Sequence, residues 1–239
     1  MEKTVRLACA LFAFLLCLLP LDALAQWRAG KVLTAAEVKA VNESECFVSS
    51  EIDEATLARM QRGGSFPKGC TVKRTDLRYL RLLHYNYDGK VQTGELVCNK
   101  AVAADLIGIF RELYENKYQI QRMALIDEYG ASDETSMSAN NSSAFCFRTI
   151  KGAKRLSKHA QGLAVDINPL QNPCVSYNAQ GVARRVEPNV VEANKNVHRK
   201  SGTAHQIDKN DLCYKLFVSH GFRWGGAWRT KKDYQHFER

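Results

Sequence analysis

Two short segments, far apart in the chain, constrain its fold more than any other feature. They are Ser157-Lys158-His159-Ala160-Gln161-Gly162-Leu163-Ala164-Val165-Asp166 and Asp233-Tyr234-Gln235-His236. Together they offer two imidazoles and one carboxylate as metal ligands, with a second carboxylate left to act on a bound water. Three protein ligands with the fourth position open is the pattern of a catalytic zinc site, whereas structural sites are usually closed by four. A fold that satisfies this set must bring both segments to one place.

The local pattern says how. In Leu163-Ala164-Val165-Asp166-Ile167 a strand sends Leu163, Val165 and Ile167 to one face and Ala164, Asp166 and Asn168 to the other. Asp166 then faces a cleft while its neighbours hold the strand in the core. Gly162 permits the turn that returns His159 over the same site, and small Ala164 leaves room beside the metal. Asp233 and His236, three apart, do not share a face of a regular strand, so the backbone must bend or take one helical turn there. The preceding Trp224-Gly225-Gly226-Ala227-Trp228 run fits an irregular approach, with its indoles placed to wall a cleft. Single histidines are usually ordinary polar residues, and His84, His198, His205 and His220 are read as non-ligands.

Elsewhere the signals are of ordinary elements. Thr34-Ala35-Ala36-Glu37 has capping-box spacing and opens a short helix towards Val41. A second helical stretch, 53–62, ends at Gly63-Gly64. The Leu- and Tyr-rich run 76–87, the Asp88-Gly89 turn and the run 91–97 predict a β-hairpin. Asn99 is placed to cap a helix to about residue 116, with Val102, Leu106, Ile109, Phe110 and Leu113 as its buried stripe. Residues 118–126 suit strand or helix equally. The polar stretch 131–143 reads as a loop, either lining a cleft or simply solvated, and 169–197 as a long surface excursion. A last helix is expected from Asp208, with Gly221 just past its end. The division expected is 1–25 as a signal peptide, 26–70 as a small helical extension, and 71–239 as one catalytic domain.

The signal peptide is read from a short basic start (Lys3, Arg6), an apolar run from about Leu7 to Leu21, and a small-x-small site at Ala23-Leu24-Ala25. That run is shorter than the roughly 20 residues a spanning helix needs, so no stable membrane anchor is expected. The chain carries a formal net charge of +9. Such a balance suits an anionic polymer such as a cell wall, a membrane surface or nucleic acid, or merely aids solubility. With no nucleic-acid motif and no long basic block, nucleic acid is not expected. Past residue 25 lie Cys46, Cys70, Cys98, Cys146, Cys174 and Cys213, none in a C-x-x-C. An even count in an exported chain favours three disulfides, with connectivity left open by spacing.

The pattern S-x-H-x-x-G-x-A-x-D, met by Ser157, His159, Gly162, Ala164 and Asp166, resembles that of the zinc D-alanyl-D-alanine carboxypeptidases, the M15 peptidases. Asp233 three before His236 and the His236-Phe237-Glu238 ending are similar to the family's second element, and the run from Gly221 to Gly226 is similar to the approach seen in its endopeptidase branch. Upstream, Asp76-Leu77-Arg78-Tyr79-Leu80, Gly94-Glu95-Leu96-Val97, the run from Asn140 to Phe145 and Asp166-Ile167-Asn168-Pro169 extend the resemblance to about residues 46–239.

The resemblance implies an α+β fold, an antiparallel sheet with packed helices and a zinc cleft, plus the small helical N-terminal extension. It implies Zn²⁺ held by His159, Asp166 and His236, with Asp233 as general base. Ser157 either supports the site by a hydrogen bond or serves a local turn. Arg148 either binds a substrate carboxylate or the oxyanion, or forms a surface salt bridge; Trp224 would line the substrate. Cys146 and Cys174 stand where the family pattern suggests Asn and Tyr, which implies pairing of Cys146 with Cys174, leaving Cys46–Cys70 and Cys98–Cys213. The function implied is hydrolysis of peptidoglycan stem peptides, by D,D-carboxypeptidase or L-Ala-D-Glu-type endopeptidase action. The protein is expected to be exported, periplasmic or extracellular, and to work as a monomer on peptidoglycan peptides. Two other readings remain: a catalytically silent zinc-binding cell-wall module, or an exported metallopeptidase acting on other peptides.

Overall fold

Capping side chains start the N-terminal helices. Helix α1 (Ala35–Ala40) begins with the reciprocal bonds of a capping box between Thr34 and Glu37. After α2 (Glu43–Cys46) and strand β1 (Val48–Ser50), Asp53 caps α3 (Glu54–Gly63) through the amide of Thr56 at 2.6 Å. The computed structural model describes residues 27–41, 43–150 and 152–239, so the expected signal peptide lies outside the described residues. Among the described residues no helix is long and apolar enough to cross a membrane.

Strands β2 (Leu77–Tyr85) and β3 (Val91–Asn99) form the expected hairpin, and β1 adds to its edge. Asn99 leaves β3 and caps α4 (Lys100–Glu115) through the amide of Ala101 at 3.0 Å. The predicted stripe of α4 is buried, and Phe110 meets Phe217 edge to face. The N-terminal segment packs into this core. Trp27 and Phe47 are buried within it, and the Trp27 indole donates to the carbonyl of Gly94. Buried Glu95 accepts two bonds from Arg59 on α3, one from the Tyr79 hydroxyl and one from the amide of Ala29.

Next come β4 (Arg122–Met123), α5 (Asp133–Ser138), β5 (Asn141–Ser142) and β6 (Ala164–Asp166). They are followed by β7 (Cys174–Tyr177), β8 (Ala183–Glu187) and α6 (Val191–Lys195). The chain closes with α7 (Leu212–Ser219), β9 (Arg223–Trp224), β10 (Lys231–Asp233) and β11 (His236–Glu238). Among the described residues the strands form three small antiparallel sheets, ordered β1-β2-β3, β10-β7-β8 and β6-β11-β9, and one parallel pair, β4 with β5. The single antiparallel sheet expected is thus divided.

Three stretches differ from expectation. Residues 131–143 contain α5, started by the Ser132 hydroxyl, rather than a plain loop. The excursion 169–197 holds β7, β8 and α6, packed around Val175, Val186 and Ala193. The last helix starts at Leu212, because Asp211 rather than Asp208 supplies the cap.

Candidate metal centre

Strands β6 and β11 pair antiparallel, with His236 opposite Asp166 and Glu238 opposite Ala164. Directly opposed residues share a sheet face, so the imidazole and both carboxylates stand together. Ala164 is the small residue facing Glu238. His159 arrives from a single 3₁₀ turn, His159–Gln161, closed by Gly162 at φ +69°. The Gly162 carbonyl accepts from the amide of Asn99 at 2.8 Å. A Cβ on Gly162 would sit 2.5 Å from that nitrogen, so only glycine fits. Ser157 takes the turn role left open by the sequence: its hydroxyl accepts from the amide of Ala160 at 3.0 Å.

The ligand atoms form a compact triangle. His159 Nε2 is 3.1 Å from His236 Nδ1 and 3.3 Å from an Asp166 oxygen, and His236 Nδ1 is 3.0 Å from the other Asp166 oxygen. Ligands about 2.0–2.1 Å from a tetrahedral zinc lie about 3.3 Å apart, so this donor set fits that ion. The far side of each imidazole is also held. His159 Nδ1 lies 2.6 Å from the Ala144 carbonyl, and His236 Nε2 makes a longer 3.4 Å contact with Glu238. Carbonyl and carboxylate partners of this kind fix ring orientation at metal sites. Glu238 thus stands behind His236, on the side away from Asp166.

Asp233 reaches the site by a bend. Strand β10 pairs with β7, placing Asp233 opposite Cys174, and the two residues Tyr234 and Gln235 then swing the chain into β11. The Gln235 carbonyl accepts from the amide of Ile167 at 3.0 Å, pinning the bend to the end of β6. Gly225 lies under it, where a Cβ would come within 2.6 Å of the Asp233 carbonyl oxygen and 3.2 Å of the His236 Cβ. Oδ1 of Asp233 is buried without a hydrogen-bond partner. Burial pushes the Asp233 pKa up, and the charge of Asp166 adds to this against the pull of His236. For Asp166 burial works the same way, but the charges and hydrogen bonds of His159 and His236 overcome it and hold the carboxyl well below its usual range. Burial opposes charge on His236, yet its bonds to Asp166 and Glu238 push its pKa up to about 10.

Other expected residues lie differently. Trp224 is buried; its indole donates to the Tyr234 carbonyl at 2.8 Å and its ring packs on Tyr214 and Tyr234. Trp228 is the indole beside the metal ligands, 5.4 Å from the His236 ring. For Arg148 the salt bridge left open by the sequence is present: its Nε lies 2.5 Å from Asp133 of α5. None of the three disulfides forms. Cys70, Cys98, Cys146, Cys174 and Cys213 are free thiols. Cys146 points at the carbonyl of Ala131 while Cys174 lies beside Lys231 and Asp233, so this pair is divided between two walls.

Residues 151–239 match the family model described as D-alanyl-D-alanine carboxypeptidase. No curated protein and no solved structure matches the chain. The matched stretch contains His159, Asp166, Asp233 and His236.

Proposed function

We propose, on the premise that residues 151–239 belong to the M15 peptidase family, that the protein is an exported zinc peptidase that hydrolyses peptide bonds in peptidoglycan stem peptides. The observation that carries this reading is the buried triangle of His159, Asp166 and His236 beside a carboxylate with an unpartnered oxygen. Zinc, when bound by those three residues, supplies Lewis acidity and lowers the pKa of water to near neutrality.

The chain's own residues do the rest. Asp233 accepts a proton from the attacking water at Oδ1 and returns it to the leaving amine. Its buried setting favours this exchange, since a carboxylate with a raised pKa both takes and gives a proton readily. Glu238 and the Ala144 carbonyl keep the two imidazoles turned towards the metal position. Arg148 would offer a guanidinium to the developing oxyanion or to a substrate carboxylate, with Asp133 fixing its Nε edge. Trp228 walls the cleft over His236.

The test is digestion of purified muropeptides by the zinc-loaded protein, followed by mass spectrometry. Loss of a terminal D-Ala marks a D,D-carboxypeptidase, and an internal cut between L-Ala and D-Glu marks an endopeptidase. Unchanged muropeptides with full zinc occupancy would leave a zinc-binding wall module in place of a peptidase.

A further inference from the structure

Lys231 and Asp233 are alternate residues of β10, so their side chains leave the same face of the strand. The register with β7 puts Cys174 opposite Asp233 and Ser176 opposite Lys231, and opposed residues share a face. The Lys231 side chain lies back along this face. Its Nζ comes to 3.6 Å from Oδ2 of Asp233 and also meets the Cys174 thiol. The two oxygens of Asp233 are thus unlike. Oδ2 has an ammonium beside it, whereas Oδ1 is buried and has no hydrogen-bond partner.

That difference matters because the backbone of Asp233 is held more firmly than its carboxylate. Pairing with β7 fixes the strand from the side. Gly225 lies beneath, where a Cβ would come within 2.6 Å of the Asp233 carbonyl oxygen and 2.8 Å of the Asp233 Cβ. Neither contact restrains χ2, whose wells are broad and roughly two-fold for aspartate. A carboxylate free about that bond can turn either oxygen towards a water. With Oδ1 unpartnered, the ammonium on Oδ2 is what orients the group.

Lys231 is suited to this. Its side chain is 45% exposed, so it reaches Asp233 from the rim without being sealed in. Burial opposes its charge, but Asp233 and Cys174 more than offset that and push its pKa up, so it stays an ammonium. Glu187 on the same face does not draw it away: it lies beyond Cys174 on β8 and is engaged by Arg185 at 2.5 Å. Lys232, one residue on, stands opposite Val175 and so belongs to the other face.

We propose that Lys231 is a positioning residue for Asp233, holding Oδ2 so that Oδ1 is the oxygen presented to the attacking water. This rests on the peptidase reading and adds how its base is aimed. A partly exposed ion pair contributes little to stability. Its effect here is directional, and misplacing a reacting group by about 1 Å can cost about 100-fold in rate.

The test joins kinetics to a direct view of the carboxylate. On muropeptides, zinc-loaded Lys231→Met should lose roughly 10- to 100-fold in kcat, with KM, zinc content and Tm close to those of the parent. Lys231→Arg should recover much of the loss, and Lys232→Met should match the parent. In an Asp233→Asn background, Lys231→Met should cost nothing further, because a residue that acts through Asp233 has nothing left to orient. Crystal structures of the parent and Lys231→Met should show one Asp233 orientation in the parent, with Oδ2 on Lys231. In the variant the carboxylate should be turned about χ2 or split between two orientations.

A single, unchanged Asp233 orientation in Lys231→Met would overturn the proposal whatever the activity. So would parent-like kcat, a loss confined to KM, or an equal loss in the Asp233→Asn background, which would make Lys231 a substrate contact or a bystander. A turned or split carboxylate in the variant, with no muropeptide cut even by the parent, would keep the positioning role and remove the peptidase reading.

Discussion

Asp166 and Asp233 are the same residue type within one centre, yet their surroundings push them in opposite directions. Asp166 is held ionised by two imidazoles, as the proposed ligand role requires, whereas Asp233 is raised by burial and by Asp166 itself. On the proposed reading, a pair of carboxyls separated in this way divides the work between anchoring and proton transfer. Removing a ligand should therefore differ from removing the base. His159→Ala and His236→Ala are each expected to lose most of their zinc, as read by elemental analysis of the purified protein; full occupancy in both would contradict the ligand assignment. Arg148→Ala should fold and hold zinc but turn over substrate about 100- to 1,000-fold more slowly if the guanidinium serves the oxyanion. A rise confined to KM would instead place it on a substrate carboxylate. Away from the site, burial lowers His84 to a pKa of about 4, even though Ile120 holds its Nδ1 at 2.7 Å. Its folded pKa is below the unfolded value of about 6.5, so the unfolded chain binds the extra proton between these limits. Stability should be complete above pH 6.5 and decline as pH falls towards 4, by about 2 kcal/mol at pH 5 from this residue alone. Denaturant unfolding of the parent and His84→Gln at pH 7.5 and pH 5 reads the difference; equal losses in both would contradict it.

At the scale of elements, the site is assembled from turns pinned to strands. Asn99 ends β3, caps α4 and grips the His159 turn, with its amide on the Gly162 carbonyl and its Nδ2 on the Gln161 carbonyl. Asn99→Ala should lose about 1 kcal/mol for the cap and also weaken zinc retention against a chelator. Retention equal to the parent would show that the turn needs no such tether. The sequence made several of these pieces legible. Alternation around Val165 placed Asp166, and the Asp88-Gly89 turn and the stripe of α4 placed the large hairpin and its helix. It could say that the chain must bend between Asp233 and His236, but not that Gly225 lies under the bend, since that contact exists only after folding. The sheet formed by β7, β8 and β10 was hidden for a related reason. Its strands are short and one face is charged, so polar residues such as Arg184, Arg185 and Glu187 read as surface loop.

For the whole molecule, the β1-β2-β3 sheet and α4 form the body against which the smaller sheets carry the centre. Phe237 of β11 stacks on Phe217 of α7 at 4.3 Å, so the strand bearing His236 is rooted in that body. Metal binding should therefore be felt globally. Zinc at 1,000 times its Kd should add about 4 kcal/mol to folding stability, seen as a higher Tm that a chelator reverses and that His159→Ala lacks. The central claim, that a zinc-loaded centre uses Asp233 to cut stem peptides, is tested most directly by muropeptide turnover of the parent and Asp233→Asn at matched zinc content. The amide cannot accept the proton from water, and loss of one general base typically costs about 100- to 10,000-fold. The account predicts a loss of that size with zinc fully retained. Turnover in Asp233→Asn equal to that of the parent would contradict it.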